Sequence, residues 1–362
     1  MNILVVNWQD WHNPFTGGAE VYLYEIFSRL IKKNHRIMLL CSRAKNQRRF
    51  EILDGFEIYR IGRRTNFNFL APFALKALLR HKLIDVVVDD LNKIPFFSSL
   101  FTRKKVYAML MHVFRQTIYK ETNPLAASYV YCAESLVPWL YNNRAGFIAI
   151  SNSSAVDLRA MGVRGKIHVV QSGIPRIPAG IKEGRKKDLV VYVGRIKRYK
   201  SIDHFIKAVK LLEGRRNLKA MIVGDGDAMN ELKALAREIK ANIEFTGFVS
   251  EEEKFRIYSR ARAVVQPSIK EGWGLTAIEA QACGTPVVCA DSPGLREVVA
   301  NGETGFLYPY GNIEKLAARI TELLDNDDIW ASFSCAAVKW TSTFSWDNAA
   351  RKMEKILTES IS

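Results

Sequence analysis

The sequence predicts an α/β fold of two domains, each built from short buried strands that alternate with amphipathic helices. Three observations support this class. The chain has 362 residues, which suits two domains of roughly 150–200 residues each. Its hydrophobic content of 48% is enough for two full-sized cores. In both halves a short apolar run, such as Ile3–Asn7 or Leu189–Val193, is followed by a glycine-containing turn and the start of a helix.

Composition narrows the cellular setting. No apolar run reaches the ~18–20 residues of a membrane-spanning helix. The opening residues MNILVVNW are typical of a first strand and not of a signal peptide. The five cysteines are scattered and include no CxxC pair, so we expect reduced, mostly core residues. These features together predict a cytoplasmic protein.

The net charge is +16, and residues 1–174 contribute +12 of it. A basic first half predicts an anionic partner there: a phospholipid surface, a lipid phosphate or nucleic acid. A generally basic soluble protein is the alternative. The sequence contains no helix-turn-helix, zinc or RNP motif, so nucleic acid is not the expected partner.

A turn containing Gly17 and Gly18 follows the first strand and leads into an amphipathic helix that extends to about Leu30. Small residues at this place let the backbone approach a phosphate closely. The pattern is not GxGxxG, and no acid follows a second strand as in NAD-binding proteins, so a dinucleotide site is not favoured. An ordinary turn and helix start is the alternative.

Two segments of the first half combine aromatic and basic residues. The helix predicted over Asn68–Leu83 carries Lys76, Arg80, His81 and Lys82 beside Phe67, Phe69 and Phe73. The stretch Pro95–Phe101 precedes the triplet Arg103–Lys105. Such clusters can contact an anionic membrane. For the helix, packing on the sheet is the favoured alternative. For the second stretch, ordinary core followed by a solvated turn is the alternative.

Polar residues follow two predicted strands of the first half. Asp85–Asp90 ends in Asp89 and Asp90, and Val106–Met111 is followed by His112. Open α/β sheets bind ligands at the carboxyl ends of their strands. We therefore expect the two acids to lie at a ligand site, where they can orient a hydroxyl group; they are not spaced as D-x-D, and no metal site is predicted.

Other strands complete the two predicted sheets. They are expected at His35–Cys41, Phe56–Ile61, Phe147–Ile150, Ile167–Val170, Lys219–Val223, Ile243–Thr246, Ala261–Gln266 and Pro286–Ala290. Pro175, Pro178 and Gly180, followed by the charged run Lys182–Asp188, mark a linker. The predicted domains are residues 1–175 and 176–340, with a final helical segment at 341–362.

Two cations follow the first strand of the second half. Arg195 and Lys200 are five residues apart, so both project from one strand–helix loop. Two fixed cations on one loop can bind an anionic ligand and stabilise its negative charge. The neighbouring Lys197 and Arg198 are expected to be solvated.

The most informative stretch begins after the strand Ala261–Gln266. A loop with Gly272 and Gly274 leads into a helix predicted over Leu275–Ala282. The first turn of such a helix presents unpaired backbone N–H groups, which attract phosphate. Glu271 and Glu279 bracket this turn; eight residues apart, they would reach different parts of one ligand.

The segment Pro267–Leu307 (PSIKEGWGLTAIEAQACGTPVVCADSPGLREVVANGETGFL) resembles the retaining glycosyltransferases of the two-Rossmann-domain (GT-B) type, family 4, also called glycosyltransferase group 1. The family signature, two Glu separated by seven residues, is present as Glu271 and Glu279. The resemblance implies two Rossmann-like domains facing across a cleft, with the donor on the second and the acceptor on the first. It also implies that the last helix crosses back onto the first domain.

The resemblance assigns roles residue by residue. Glu279 would hold the donor ribose, Arg195 and Lys200 would clamp the diphosphate, and Glu271 and His112 would be the catalytic residues beside the transferred sugar. The remaining implied contacts are Val249 at the nucleobase, the donor loop residues Gly272, Trp273, Gly274, Leu275 and Thr276, and the phosphate or acceptor loop of Gly17 and Gly18. The family commonly has glycine after the lysine, where this chain has Ser201.

The implied reaction is transfer of a hexose from a UDP- or GDP-linked donor to an acceptor hydroxyl, with retention of configuration. The implied acceptor is a glycan or lipid-linked sugar in cell-surface glycan or glycolipid synthesis, and a small soluble alcohol stays open as an alternative. The basic charge of the first half favours an acceptor at the inner face of the membrane. No metal or other cofactor is required. A sugar-nucleotide epimerase on the same fold, a basic nucleic-acid-binding protein and a non-catalytic binding protein are the alternatives.

Overall fold

The computed structural model describes residues 1–92, 94–178, 181, 188–214 and 218–359. The chain divides into two compact units. The first comprises Met1–Gly173 and Ser345–Ser362, and the second comprises Ile174–Phe344. Of the predicted linker, Gly180 and residues 182–187 lie outside the described residues.

The first unit contains an eight-stranded sheet. Its strands are β1 (Asn2–Val6), β2 (Arg36–Ser42), β3 (Phe50–Leu53), β4 (Phe56–Ile61), β5 (Val86–Asp90), β6 (Lys105–Leu110), β7 (Ala145–Ala149) and β8 (Ile167–Val169). Their order is β3-β4-β2-β1-β5-β6-β7-β8, and every neighbouring pair is parallel except β3–β4. The strand order reverses between β1 and β5, so the loops that follow these two strands diverge there.

The described residues before Gly173 form five α-helices. They are α1 (Gly18–Ile31), α2 (Phe67–His81), α3 (Pro124–Ser135), α4 (Val137–Tyr141) and α5 (Asn152–Ala160). One face of the sheet packs against α2, α4 and α5 in a buried cluster that includes Leu4, Met38, Leu75, Tyr141 and Leu158. Burial of strands on both faces explains their continuous apolar runs.

The second unit contains a six-stranded sheet in which every pair is parallel. Its strands are β9 (Leu189–Val193), β10 (Lys219–Val223), β11 (Glu244–Gly247), β12 (Ala263–Gln266), β13 (Val287–Ala290) and β14 (Gly305–Tyr308). The order is β11-β10-β9-β12-β13-β14. Numbered from β9 this is 3-2-1-4-5-6, the order of a Rossmann fold, with its reversal between β9 and β12.

In the described part of the second unit, seven α-helices accompany this sheet. They are α6 (Ile202–Leu211), α7 (Met229–Glu238), α8 (Glu251–Arg260), α9 (Leu275–Ala282), α10 (Leu295–Val298), α11 (Ile313–Asp325) and α12 (Asp327–Thr341). Across both units, none of the helices in the described ranges is both long enough and apolar enough to cross a lipid bilayer.

The last helix, α13 (Trp346–Thr358), belongs to the first unit, which confirms that the chain crosses back. It packs along α1, and the Tyr107 hydroxyl donates a hydrogen bond to the Ile356 carbonyl at 2.9 Å. A Cβ on Gly173 would lie 2.2 Å from the Trp346 backbone nitrogen, so only glycine permits this approach. The first unit resumes at Ser345, a few residues after the predicted 341, because α12 continues through Thr341.

The two acids at the end of β5 are buried and are not presented to a ligand. Asp89 Oδ2 accepts hydrogen bonds from the Tyr141 hydroxyl at 2.6 Å and from the Ser98 N–H at 2.9 Å. Burial raises the pKa of Asp89 to about 6. Burial, with repulsion from Glu20 and Asp89, also raises the pKa of Asp90. The expectation that these acids orient an acceptor hydroxyl is therefore wrong for this arrangement.

The raised pKa of Asp89 predicts a pH-dependent loss of stability. A carboxyl group whose folded pKa lies above its unfolded value stabilises the fold only while it is neutral, so the free energy of unfolding falls as the pH rises from about 4 through about 6. Asp89→Asn keeps an acceptor oxygen for Tyr141 and Ser98 and cannot ionise. Between pH 4 and pH 7.5 the free energy of unfolding of Asp89→Asn, measured with urea, should rise by about 2–3 kcal/mol relative to that of the wild type. If the free energy of unfolding changed equally with pH in both proteins, the raised pKa of Asp89 would be refuted.

Candidate functional site

The candidate site lies at the reversal of strand order in the second unit. The loop after β9 carries Arg195 and Lys200, and the loop after β12 carries Glu271 to Gly274. Because β9 and β12 are neighbouring parallel strands, their carboxyl ends meet at one edge of the sheet. The structure thus brings together predicted residues that are more than 70 positions apart in sequence.

The main chain of the loop after β9 is fixed while the Arg195 side chain is exposed. Gly194 adopts φ +150° at the end of the strand. The Tyr192 hydroxyl donates to the Arg195 carbonyl at 3.0 Å, and the Ile196 N–H donates to the Asp225 carbonyl at 2.9 Å. A guanidinium on a rigid backbone is well suited to bind an anion.

Lys200 and Glu271 form an ion pair that joins the two loops. Lys200 Nζ lies 2.5 Å from Glu271 Oε1, and the side chains are only 12% and 13% exposed. Burial acts to lower the pKa of Lys200, but attraction to Glu271 and Tyr199, together with the hydrogen bond to Glu271, outweighs burial and raises the pKa. Lys200 is therefore a cation at neutral pH. Each residue was predicted separately; their direct contact was not.

The structure explains the glycine that the family has after this lysine. Ser201 adopts φ +49° and ψ +42°, the left-handed conformation, at the residue that precedes α6. This conformation costs a non-glycine residue about 1–2 kcal/mol. Ser201 Oγ lies 2.9 Å from the Tyr310 hydroxyl, a hydrogen bond that glycine could not make.

The loop after β12 is shaped by two glycines in the left-handed region. Gly274 has φ +86° and precedes α9, while Gly294 has φ +83° and packs directly beneath the loop. A Cβ on Gly294 would lie 2.3 Å from the Glu271 carbonyl oxygen. The Glu271 N–H donates to the Pro293 carbonyl at 3.0 Å, which fixes the loop from the same side.

Helix α9 begins beside this loop. Ala277 N and Ile278 N donate to the Gly274 carbonyl at 3.0 and 3.2 Å. The N–H groups of Leu275 and Thr276 precede them in the first turn, where the helix dipole is positive. Backbone amides, Arg195 and Lys200 are groups that can bind a diphosphate without a metal.

The predicted donor-loop residues differ in accessibility. Gly272, Leu275 and Thr276 are half-buried, and Trp273 is buried. The Trp273 ring packs edge-on against Phe344 at 5.4 Å between centroids, inside the second unit. Only the main chain of Trp273 is therefore suited to contact a donor.

Glu279 lies in the middle of α9 and is held by two residues of α8. Its Oε2 accepts from the Tyr258 hydroxyl at 3.0 Å, and its Oε1 lies 3.1 Å from Lys254 Nζ. Burial raises the pKa of Glu279, and Lys254 and Tyr258 oppose that rise. These partners were not predicted from the sequence, although their four-residue spacing places both on one face of α8.

Val249 follows β11 and is half-buried. The strand ends at Gly247, with φ +73°, and the turn leads to Ser250, whose Oγ accepts from the Glu253 N–H at 3.2 Å. Val249 thus lies at the same carboxyl edge of the sheet as the loops after β9 and β12. Its predicted contact with a nucleobase stays a prediction.

His112 and the Gly17–Gly18 turn belong to the first unit. His112 follows β6, is half-buried, and its ring lies 4.4 Å from that of Phe114 between centroids. The Gly17 N–H donates to Glu20 Oε2 at 2.7 Å. A carboxylate already accepts from this amide at the start of α1, which weighs against a phosphate at the same place.

Among the residues that the structure describes, no cluster of three or more His, Cys, Asp and Glu side chains could hold a metal ion.

Comparison with known proteins matches both halves of the chain. The family model for glycosyl transferases group 1 matches residues 174–340, and the model for glycosyltransferase family 4 matches residues 16–176. The two matches meet at the boundary between the two units.

Two curated relatives illustrate the match. A D-inositol 3-phosphate glycosyltransferase of Corynebacterium aurimucosum is 36% identical over 183 residues, 48% of this chain and 44% of the relative. An uncharacterised glycosyltransferase of Methanocaldococcus jannaschii is 24% identical over 382 residues, 97% of this chain and 96% of the relative. The match to the first relative thus spans less than half of that protein.

Solved structures share the fold over nearly the whole chain. Sucrose-phosphate synthase of Thermosynechococcus elongatus superposes with a TM-score of 0.81 at 19% identity, covering 99% of this chain and 98% of that one. Anabaena HepE, solved with UDP-glucose, superposes with a TM-score of 0.75 at 18% identity, covering 99% and 100%. The fold is thus that of GT-B glycosyltransferases, and with both family models matched the chain belongs to the group 1, family 4 glycosyltransferases.

Proposed function

We propose that the chain is a retaining glycosyltransferase that transfers a hexose from a UDP- or GDP-linked donor to an acceptor hydroxyl, in the synthesis of cell-surface glycans or glycolipids. The proposal assigns the donor to residues 176–340 and the acceptor to residues 1–175. The observation that carries it is the convergence of Arg195, Lys200 and the first turn of α9 at the reversal of strand order in the second sheet.

The assigned donor contacts follow from the chemistry of each group. Arg195 and Lys200 bind the two phosphates, with the amides of Leu275 and Thr276 as further donors. Glu279 accepts hydrogen bonds from the ribose hydroxyls. A nucleotide sugar is also the ligand in the structure of Anabaena HepE with UDP-glucose, which supports this donor class.

In the proposed reaction the bond between the anomeric carbon and the phosphate oxygen breaks, and the acceptor oxygen bonds to the same face of that carbon. The acceptor proton passes to the departing phosphate oxygen, so no protein nucleophile and no metal take part. Arg195 and Lys200 stabilise the charge that grows on the diphosphate. Glu271, paired with Lys200, and His112 are proposed to orient the sugar.

An epimerase acting on the same donor would invert a carbon of the sugar ring and would need no acceptor. Analysis of the products formed from a nucleotide sugar without acceptor separates the two activities. A thermal-shift screen of UDP-, GDP- and ADP-sugars identifies the donor first, because a ligand that binds the folded state raises its stability by mass action.

For the setting of the reaction we propose the inner face of an anionic membrane, contacted by the first unit. Large apolar side chains are exposed on α2, α3, α4 and the 3₁₀ turn Ser98–Leu100, and we call this the α2–α4 surface. Its members are Phe69 (63% exposed), Phe73 (74%), Leu100 (42%), Leu125 (86%), Tyr129 (46%), Leu136 (46%) and Trp139 (89%). Phe67 and Phe96, predicted to belong to the membrane-facing clusters, are instead buried in the core.

Three contacts join these elements to one another. Asn68 Nδ2 donates to the Tyr129 hydroxyl at 2.9 Å and so links α2 to α3. Lys76 Nζ lies 5.2 Å from the centroid of the Phe101 ring, linking α2 to the 3₁₀ turn. Ser99 Oγ donates to the Leu140 carbonyl at 2.9 Å, linking that turn to α4.

Charge complements the apolar residues on this surface. Exposed cations lie on the same elements or next to them: Lys76, Arg80, Arg103, Lys104 and Lys105. Aromatic side chains and basic residues on one surface are what an anionic bilayer binds.

The first prediction concerns the diphosphate clamp. Arg195→Ala should weaken nucleotide-sugar binding by about ten- to a hundredfold, because a charge-assisted hydrogen bond contributes about 1.5–3 kcal/mol, and transfer should fall with it while the fold is kept. Arg198→Ala is the matched control in the same loop, since Arg198 pairs with Glu231 at 3.0 Å on the exposed surface. Equal calorimetric affinities and turnover for both variants would contradict the role of Arg195.

The second prediction concerns the loop after β12. Gly294→Ala should displace the Glu271 carbonyl and weaken nucleotide binding, and should destabilise the protein by at least about 1 kcal/mol more than Gly302→Ala. Gly302 is the control because it also has a positive φ, +81°, but a Cβ added there would meet no atom within 4 Å. Urea unfolding and nucleotide thermal shifts measure the two effects; equal losses in both variants would show that the loop does not depend on Gly294.

The third prediction concerns the membrane. The double variant Phe73→Ser and Trp139→Ser should bind vesicles of phosphatidylglycerol and phosphatidylethanolamine at least about tenfold more weakly, because two large apolar side chains lose their burial. The control Leu211→Ser removes an apolar side chain that is 57% exposed on the second unit, and it should leave vesicle binding unchanged. Binding to phosphatidylcholine vesicles should be weak in every protein. Wild-type protein that fails to cosediment with the anionic vesicles would refute the proposed contact.

A further inference from the structure

Glu279 is held by a lysine and a tyrosine one helical turn apart on α8. Lys254 Nζ lies 3.1 Å from Glu279 Oε1, and the Tyr258 hydroxyl donates to Oε2 at 3.0 Å. Both charged side chains are largely buried, 15% exposed for Lys254 and 10% for Glu279. The carboxylate is therefore fixed at both oxygens by one neighbouring helix.

Lys254 lies between two carboxylates. Its Nζ is 2.8 Å from Glu251 Oε2 as well as 3.1 Å from Glu279 Oε1. Glu251 is 76% exposed, so water screens it, whereas Glu279 is buried. The electrostatic attraction between Lys254 and Glu279 is consequently stronger than that between Lys254 and Glu251.

The charge of Glu279 depends on these neighbours. Burial raises the pKa of its carboxyl, attraction to Lys254 and the hydrogen bond from Tyr258 lower it, and repulsion from Glu251 raises it further. All three titratable groups that act on Glu279 in this way lie on or at the start of α8. Cys283, at the end of α9, acts on Tyr258. Of these groups, only the Tyr258 hydroxyl would still offset the burial of the carboxylate if Lys254 were removed.

We propose that Lys254 is a positioning residue for the nucleotide: it keeps Glu279 as a carboxylate and fixes its orientation, so that affinity for the ribose at neutral pH depends on a side chain that does not contact the ligand. This inference rests on the proposed function, in which Glu279 binds the ribose. A carboxylate offers about four lone-pair directions. Lys254 and Tyr258 occupy one on each oxygen, which leaves one on each oxygen for two ribose hydroxyls.

The test measures nucleotide affinity as a function of pH in three proteins. Lys254→Met removes the charge and keeps most of the side-chain length; its affinity should fall by about tenfold or more near pH 7 and recover as the pH rises, because Glu279 then ionises without help. Lys254→Arg should follow the wild type. Lys207→Met, which removes an exposed lysine paired with Asp203 at 2.8 Å on α6, is the matched control.

A second variant shifts the profile in the opposite direction. Glu251→Gln removes the repulsion on Glu279 and leaves Lys254 with one partner, so the midpoint of the affinity profile should move to lower pH. Because Glu251 is exposed, this variant is expected to fold, and it keeps the proposal testable if Lys254→Met does not.

Each outcome decides a separate question. A loss in Lys254→Met that is the same at every pH, or no loss at all, overturns the inference and leaves the proposed function intact. A wild-type protein that binds no nucleotide at any pH overturns the proposed function. Carboxyl ¹³C NMR follows the titration of Glu279 without ligand and so tests the electrostatic part of the proposal. The midpoint of this titration should move to higher pH in Lys254→Met and to lower pH in Glu251→Gln. A midpoint that is the same in all the proteins refutes the role of Lys254.

Discussion

The reversal of strand order between β9 and β12 is the constraint on which the candidate site depends. At a reversal of strand order, the chain segments that follow two neighbouring parallel strands run to opposite sides of the sheet, and a crevice opens between them. The ion pair of Lys200 and Glu271 joins the two loops, and α9 begins after the second of them. A cation, an acid and a helix N-terminus thus meet because of topology, with no long-range fit of side chains required.

Much of the architecture could be predicted because periodicity and turn residues act locally. The predicted strands Phe56–Ile61 and Leu189–Val193 and the helix Leu275–Ala282 have the same limits in the structure. The antiparallel strand β3 and the helices α3 and α4 were not predicted. β3 is half exposed and has no alternation strong enough to stand out, and α3 has exposed apolar residues that blur its helical pattern.

The site could be predicted in part for a related reason. Arg195 and Lys200 follow Gly194 at the end of a strand, and Glu271 directly precedes Gly272 in the loop after β12. Both signals are visible in a single sequence. Lys254 and Tyr258 lie on a helix of ordinary amphipathic composition, and only the packing of α8 against α9 brings them to Glu279. Asp89 and Asp90 follow a strand as ligand-binding acids do, but their side chains are buried, which the sequence did not reveal.

The edges of the two sheets have a consequence for assembly. Among the strands in the described ranges, those at the edges are β3, β8, β11 and β14, and each spans only three or four residues. Short edges offer few unpaired backbone groups to a strand from another molecule. Pairing of these strands with a strand of a second molecule is therefore disfavoured.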